Sequence, residues 1–164
     1  MKNIAQKDRL DIKKMDNELV KVVRRAYGKN LVALLVEGGY GNFDYIKGWS
    51  DYDLLALARK PQSAREIDLD GLSRKYSIEI QCAVKAERDV INRIKNNNLA
   101  SRFIGNIELL IIKKRARLLY GKNVAKMIPD TREIIKRDIG CELRSAYLQV
   151  TNPHPVWNVF IREP

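Results

Sequence analysis

Asp51 and Asp53 stand one residue apart where an apolar run, Tyr52-Asp53-Leu54-Leu55, begins. Upstream, a second apolar run from Leu31 to Val36 ends in Glu37 and the pair Gly38-Gly39. Alternate side chains of a strand project from one face, so Asp51 and Asp53 share a face, roughly 7 Å apart along the chain. Glycine lets backbone N–H groups approach a phosphate closely. Two carboxylates beside such a turn suit a divalent cation that carries a nucleoside triphosphate. The chemistry to expect is phosphoryl or nucleotidyl transfer. An aspartate inside an apolar strand is costly unless it is paired or metal-bound, which makes Asp53 the more telling of the two.

The elements that must position these groups are legible around them. Ile12, Met15, Leu19, Val22, Val23 and Ala26 recur with helical period over residues 4–27, and Gly28 is a stop. Leu31 to Val36 is a buried strand, 38–48 a loop, and 51–58 the next strand. Leu69 to Arg74 forms a short helix. Tyr76 to Val84 alternates strictly, with Ile78, Ile80, Cys82 and Val84 on one face and Ser77, Glu79, Gln81 and Ala83 on the other. This puts Glu79 where a third carboxylate could meet Asp51 and Asp53, with Glu37 in reserve. Ala86 to Asn96 is helical. Ser101 can cap a second helix running to Lys113, although Leu109 to Ile112 also fits a strand. Arg117 to Tyr120 is extended. Asp130 and Glu133 form a variant capping box for a helix that buries Ile135, Ile139, Leu143, Ala146 and Val150.

The ordered set of Gly38-Gly39, a loop, Ser50-Asp51-Tyr52-Asp53 and Leu118-Leu119-Tyr120-Gly121 resembles the nucleotidyltransferase superfamily, and within it the minimal and kanamycin-type nucleotidyltransferases. The resemblance spans about Leu31 to Lys122. It implies an α/β (α+β) fold in which a small mixed β-sheet carries helices on one face, followed by a C-terminal helical segment. The expected layout is one domain over 1–164. In it, an amphipathic helix at 1–30 precedes a catalytic core at 31–122 and a C-terminal helix at 129–150.

The implied activity is transfer of a nucleoside monophosphate, AMP in this reading, from a nucleoside triphosphate to an acceptor hydroxyl on protein or RNA. Asp51, Asp53 and Glu79 would be catalytic and would hold Mg²⁺, as one ion or two. Gly38, Gly39, Ser50 and Lys47 would bind the nucleotide. The loop departs from the family in two places. Tyr40-Gly41-Asn42-Phe43 stands where many members carry an arginine, and Gly39 stands where many carry serine. The alternative is therefore a catalytically inactive module of the same fold that binds nucleotide, RNA or a partner protein. Implied partners are the triphosphate, RNA, or an acidic protein such as one of HEPN type, with an oligomer also compatible.

Charge supports a polyanionic partner. The formal net charge is +11. Residues 1–30 hold nine basic and four acidic groups, residues 31–84 six and eight, and residues 85–137 fourteen and five. An acidic centre flanked by basic segments is what a metal site serving a polyanion needs. It disfavours a cationic aminoglycoside as acceptor. Lys113, Lys114, Arg115, Arg117, Lys122 and Lys126 are candidates for the acceptor side. A lone His154 without a cysteine or histidine partner excludes serine–histidine and zinc-type chemistry. No apolar run reaches the ~20 residues of a membrane span, and the N-terminus has no apolar signal segment. Cys82 and Cys141 at apolar phases read as reduced core thiols of a cytoplasmic protein. The apolar stretch 156–161 near the end of the chain suggests packing back on the domain, or a piece of a longer protein.

Overall fold

The computed structural model describes residues 6–46, 48–61, 67–96 and 106–130. By contacts the chain divides into two compact units, Met1–Pro129 and Asp130–Pro164. The expected helix at 129–150, Cys141, His154 and the apolar stretch 156–161 lie outside the described residues, as do Lys47 and Ser101.

Helix α1 (Gln6–Tyr27) leads through a 3₁₀ turn (Gly28–Asn30) into strand β1 (Leu31–Val36). Ile12, Met15, Leu19, Val23 and Tyr27 of α1 are buried against Leu34 and Val36 of β1. This is the stripe the helical period predicts, extended by Tyr27. Strand β2 (Tyr52–Ala58) pairs antiparallel with β1, and β4 (Arg117–Gly121) pairs antiparallel on β1's other edge. Strand β3 (Ile80–Ala86) runs parallel to β2, which requires a crossover, and helix α3 (Asp70–Tyr76) lies in it. The sheet order is β3-β2-β1-β4, a mixed four-stranded sheet. Leu34, Val36, Leu54 and Ala56 are fully buried on one face, and so are the alternating Leu35, Leu55 and Leu57. Continuous apolar sequence in β1 and β2 reflects cover on both faces.

Two elements differ from the sequence expectation, and one open alternative is decided. Residues 76–79 are not part of the third strand. Helix α3 runs to Tyr76 and Ser77 turns left-handed at φ 52°, so β3 starts at Ile80 and continues to Ala86. The stretch 109–112 is helical, within α5 (Asn106–Arg115), which follows α4 (Glu87–Asn96). Leu109 and Ile112 face inward at helical spacing, which resolves the ambiguity of a short apolar run. The loop after β1 contains a short helix, α2 (Gly38–Asn42).

Gly41 explains why α2 can sit there. A Cβ at this position would lie 2.0 Å from the Arg115 carbonyl oxygen and 2.8 Å from that of Val36. The two backbones touch because there is no side chain between them. Gly41→Ala must push α2 off α5 and β1. We expect a loss of about 2 kcal/mol, read as a lower denaturant midpoint with an unchanged m-value.

Candidate active site

The glycine turn and the aspartate strand meet directly. The Glu37 N–H donates to the Asp53 carbonyl at 2.8 Å. Gly38, at φ +61°, presents its open side to the Asp53 carboxylate, whose Oδ2 is 3.5 Å from where a Cβ would stand. A side chain at 38 would be strained by the positive φ, and its Cβ would rest in ordinary contact with the carboxylate. Gly38 and Gly39 open the first turn of α2, whose leading N–H groups have no intrahelical acceptor. Gly39 sits directly against the Tyr45 backbone.

The parallel pairing of β2 and β3 sets Asp53 opposite Gln81, and the Tyr52 N–H donates to the Glu79 carbonyl at 2.7 Å. Residues level with one another in such a ladder project from the same face. Asp51, Asp53, Glu79 and Gln81 therefore share one face at the mouth of the sheet. Asp51 and Glu79 are exposed, while Asp53 is half-buried. Burial raises the Asp53 pKa above the ordinary aspartate range, and the negative charges of Asp51 and Glu79 raise it further. Gln81 Nε2 donates to Glu79 Oε1 at 2.8 Å and orients it.

Ser50 closes the turn that delivers Asp51. Its Oγ accepts the Ile46 N–H at 2.9 Å and its own N–H donates back to the Ile46 carbonyl at 2.9 Å. Of the aromatic residues around the strand mouth, Tyr40 and Tyr52 are core residues, at 1% and 0% exposure, while Trp49 is 89% exposed. Tyr40 stacks on Tyr45 at 4.1 Å and leans on Tyr52 at 5.0 Å, a column that props the loop against β2.

One feature of the site is absent from the sequence reading. Tyr52, lying between the two aspartates, points to the opposite face and donates its hydroxyl to Asp16 of α1. Asp16 also accepts from Arg117 of β4, with Nη1 at 2.6 Å from Oδ2 and Nη2 at 3.4 Å from Oδ1. Burial and the Asp16 charge hold the Tyr52 hydroxyl protonated far above the usual phenol range. Burial alone would lower the Arg117 pKa, but its bonds to Asp16 raise it. This network ties the strand that carries the carboxylates to α1 and β4. A signal for it existed: Asp16 falls among Ile12, Met15 and Leu19 on the apolar stripe, and a carboxylate there needs a buried partner.

Arg117 is thus an internal partner and not a member of an acceptor-side surface. Two further members of that set are also engaged. Lys113 Nζ donates to the Ile128 carbonyl at 2.8 Å, and Lys122 pairs with Glu87 at 3.1 Å. Lys114, Arg115 and Lys126 remain exposed. Cys82 packs in the core, where burial pushes its thiol up to about 12.

Two clefts, of about 440 and 550 Å³, open on the α1 side of the sheet. The larger is lined by Tyr40, Tyr45, Tyr76 and Ile78, and neither includes the three carboxylates.

Among the described residues, no three His, Cys, Asp or Glu side chains converge closely enough to cage a metal ion. Mg²⁺ does not require that. It commonly takes one or two carboxylates and completes its octahedron with phosphate oxygens and water. Asp51 and Asp53 are hard oxygen donors on one face, and the repulsion that raises the Asp53 pKa is what a bound cation would relieve. The donor set fits Mg²⁺ arriving with a triphosphate.

No family model matches this chain, and no curated protein matches it. Solved structures do. A spectinomycin adenyltransferase, AAD(9) from Enterococcus faecialis, solved with ATP and spectinomycin, aligns at TM-score 0.54 and 15% identity. The match covers 88% of this chain and 69% of that one. A chain from the structure of the tri-AMPylated Shewanella oneidensis HEPN toxin in complex with MNT antitoxin aligns at TM-score 0.44 and 12% identity, over 90% of this chain and 97% of that one. A toxin–antitoxin structure with AMP-PNP aligns at 0.48 and 14%, over 88% and 97%. At such identities the likeness speaks for architecture, and the first of the three carries it. With its mixed four-stranded sheet and flanking helices, this chain has a nucleotidyltransferase-like fold.

Proposed function

We propose that this chain is a nucleotidyltransferase that moves AMP from ATP to an acceptor hydroxyl on a macromolecule, either RNA or a protein partner such as one of HEPN type. The observation that carries the reading is the placement of Asp53 against Gly38, with Asp51 and Glu79 on the same face of the sheet. AAD(9), the neighbour whose fold aligns, was solved with ATP.

Asp51 and Asp53 would hold Mg²⁺, which when bound supplies charge neutralisation for the triphosphate. The α2 turn at Gly38 and Gly39 would direct backbone N–H groups to the phosphates. Glu79, exposed and oriented by Gln81, would take the proton of the acceptor hydroxyl. The acceptor oxygen forms its bond to the α-phosphorus as the bond to the bridging oxygen breaks, and pyrophosphate leaves with that electron pair. Ser50 keeps Asp51 at the turn, and the exposed Trp49 beside it is available to stack on a base.

The test is pyrophosphate release from ATP, CTP, GTP and UTP with Mg²⁺, alone and with total RNA or candidate acidic proteins, followed by transfer of labelled nucleotide. We expect release that needs Mg²⁺ and an acceptor, with ATP preferred. Magnesium-dependent binding without release under any acceptor would favour the non-catalytic module.

A further inference from the structure

We propose that the outer face of α1 binds the phosphate backbone of single-stranded RNA, a function separate from the carboxylate site and not dependent on nucleotidyl transfer. At 100° per residue, Lys13, Lys14, Lys21, Arg24 and Arg25 fall within an arc of about 120° along some 18 Å of helix. All five are exposed, and so is Asn17 in the middle of the arc.

The acidic residues around the arc are accounted for. Asp16 is buried with Tyr52 and Arg117. Glu18 is held by Lys75 at 2.6 Å and feels Lys21 only as a secondary charge. Asp11 is exposed at the far edge of the arc. Among the described residues none of the five cations forms a salt bridge, and Arg24 alone leans on a ring, that of Tyr120 at 4.8 Å. The stripe is a row of uncompensated charge.

Its composition separates RNA from a protein partner. Protein interfaces have apolar or aromatic anchors at their centre and are depleted of lysine. This arc has three lysines, two arginines, an asparagine and no apolar residue. Lys13 and Lys14 form one group and Lys21, Arg24 and Arg25 a second, about 10 Å further along the helix, with Asn17 between them. Asn17 offers both a donor and an acceptor to the ribose 2′-hydroxyl, the group that distinguishes RNA from DNA. Tyr120 beside Arg24 supplies a ring at the end of the track.

The experiment is fluorescence anisotropy of the full chain with a labelled unstructured 20-nucleotide RNA across 50–200 mM salt. Five phosphate contacts on a single strand give a log–log salt slope of about −3.5, a loss of about 100-fold across that range. In the variant Lys13→Gln/Lys14→Gln/Lys21→Gln/Arg24→Gln/Arg25→Gln most of that slope and affinity should vanish. A charge-matched control, Arg59→Gln/Lys60→Gln/Arg74→Gln/Arg88→Gln/Lys95→Gln, should keep both. Thermal melts of both variants confirm that the comparison is between folded proteins. Equal loss in the two variants would reduce the effect to net charge and overturn the proposal. So would DNA of the same sequence binding as tightly as RNA, or a poly-glutamate peptide displacing RNA at equal charge concentration. Neither result would touch the carboxylate site, whose failure is read separately by pyrophosphate release.

Discussion

Asp53→Asn is expected to raise the thermal stability of the metal-free protein while it abolishes Mg²⁺-dependent nucleotide turnover. The sign follows from the direction of the shift. The folded-state pKa of Asp53 is raised, first by burial and then by Asp51 and Glu79. A raised carboxylate pKa means that folding favours the protonated form. Its stabilising contribution is complete below the ordinary aspartate range and is lost as pH rises through the raised value. Wherever Asp53 is ionised in the folded protein its charge is held at a cost, and asparagine keeps the shape while removing the charge. Catalysis runs the other way, because only the carboxylate is a ligand for Mg²⁺. Losing a group that holds the metal on the reacting phosphates should lower kcat/KM at least 1,000-fold, about 4 kcal/mol of transition-state stabilisation. In thermal melts, Mg²⁺ with ATP should stabilise the native chain and leave Asp53→Asn unmoved. The acid limb of kcat/KM, which reports the enzyme before the magnesium nucleotide binds, should lie at a higher pH than an ordinary aspartate would give.

The second large effect is expected at Asp16, far from the phosphates. Asp16→Ala leaves the Arg117 guanidinium and the Tyr52 hydroxyl without their shared acceptor in a mostly buried setting. Removing one partner of such a group costs about 3 kcal/mol, because a buried charge is stranded. For a chain of this size that lowers the melting temperature by about 10 °C. Asp16→Ala/Arg117→Met should recover part of the loss, since the stranded charge is then gone. Tyr52→Phe should cost less in stability, because Asp16 and Arg117 remain paired. Its readout is catalytic: Tyr52 lies between Asp51 and Asp53 on one strand, so a released anchor should lower kcat more than it raises KM. Equilibrium denaturation and steady-state kinetics on the four proteins separate these outcomes.

What could be read without coordinates follows from how local each signal is. The α1 stripe, the apolar β1 and β2 segments and the alternation through Ile80, Cys82 and Val84 are periodic patterns, and the structure places each in the element its period predicts. The pairing of Gly38 with Asp53 was implied by two separate motifs, and the β1–β2 register brings them together. What was not legible either depends on a partner far along the chain or lacks a local marker. Arg117 looked like one more cation in a basic run, and only β4's place beside β1 gives it Asp16, 101 residues away. Tyr52 reads as one more aromatic of an apolar strand, and only the fold turns its hydroxyl towards Asp16 of α1. The start of β3 was displaced to Ile80 by a left-handed Ser77 that no turn residue announced. The stretch Leu109 to Ile112 had too few residues to separate helix from strand by period alone.

The face bearing Asp51, Asp53 and Glu79, beside the Gly38 turn, is proposed to receive a magnesium nucleotide. Calorimetric titration of ATP into the native chain and into Asp51→Asn/Asp53→Asn, each with and without Mg²⁺, tests it most directly. Binding to the native chain is expected to require Mg²⁺ and to be lost in a double variant that melts no lower than the native protein. ATP binding of equal strength in the double variant, or unaffected by removal of Mg²⁺, would contradict it.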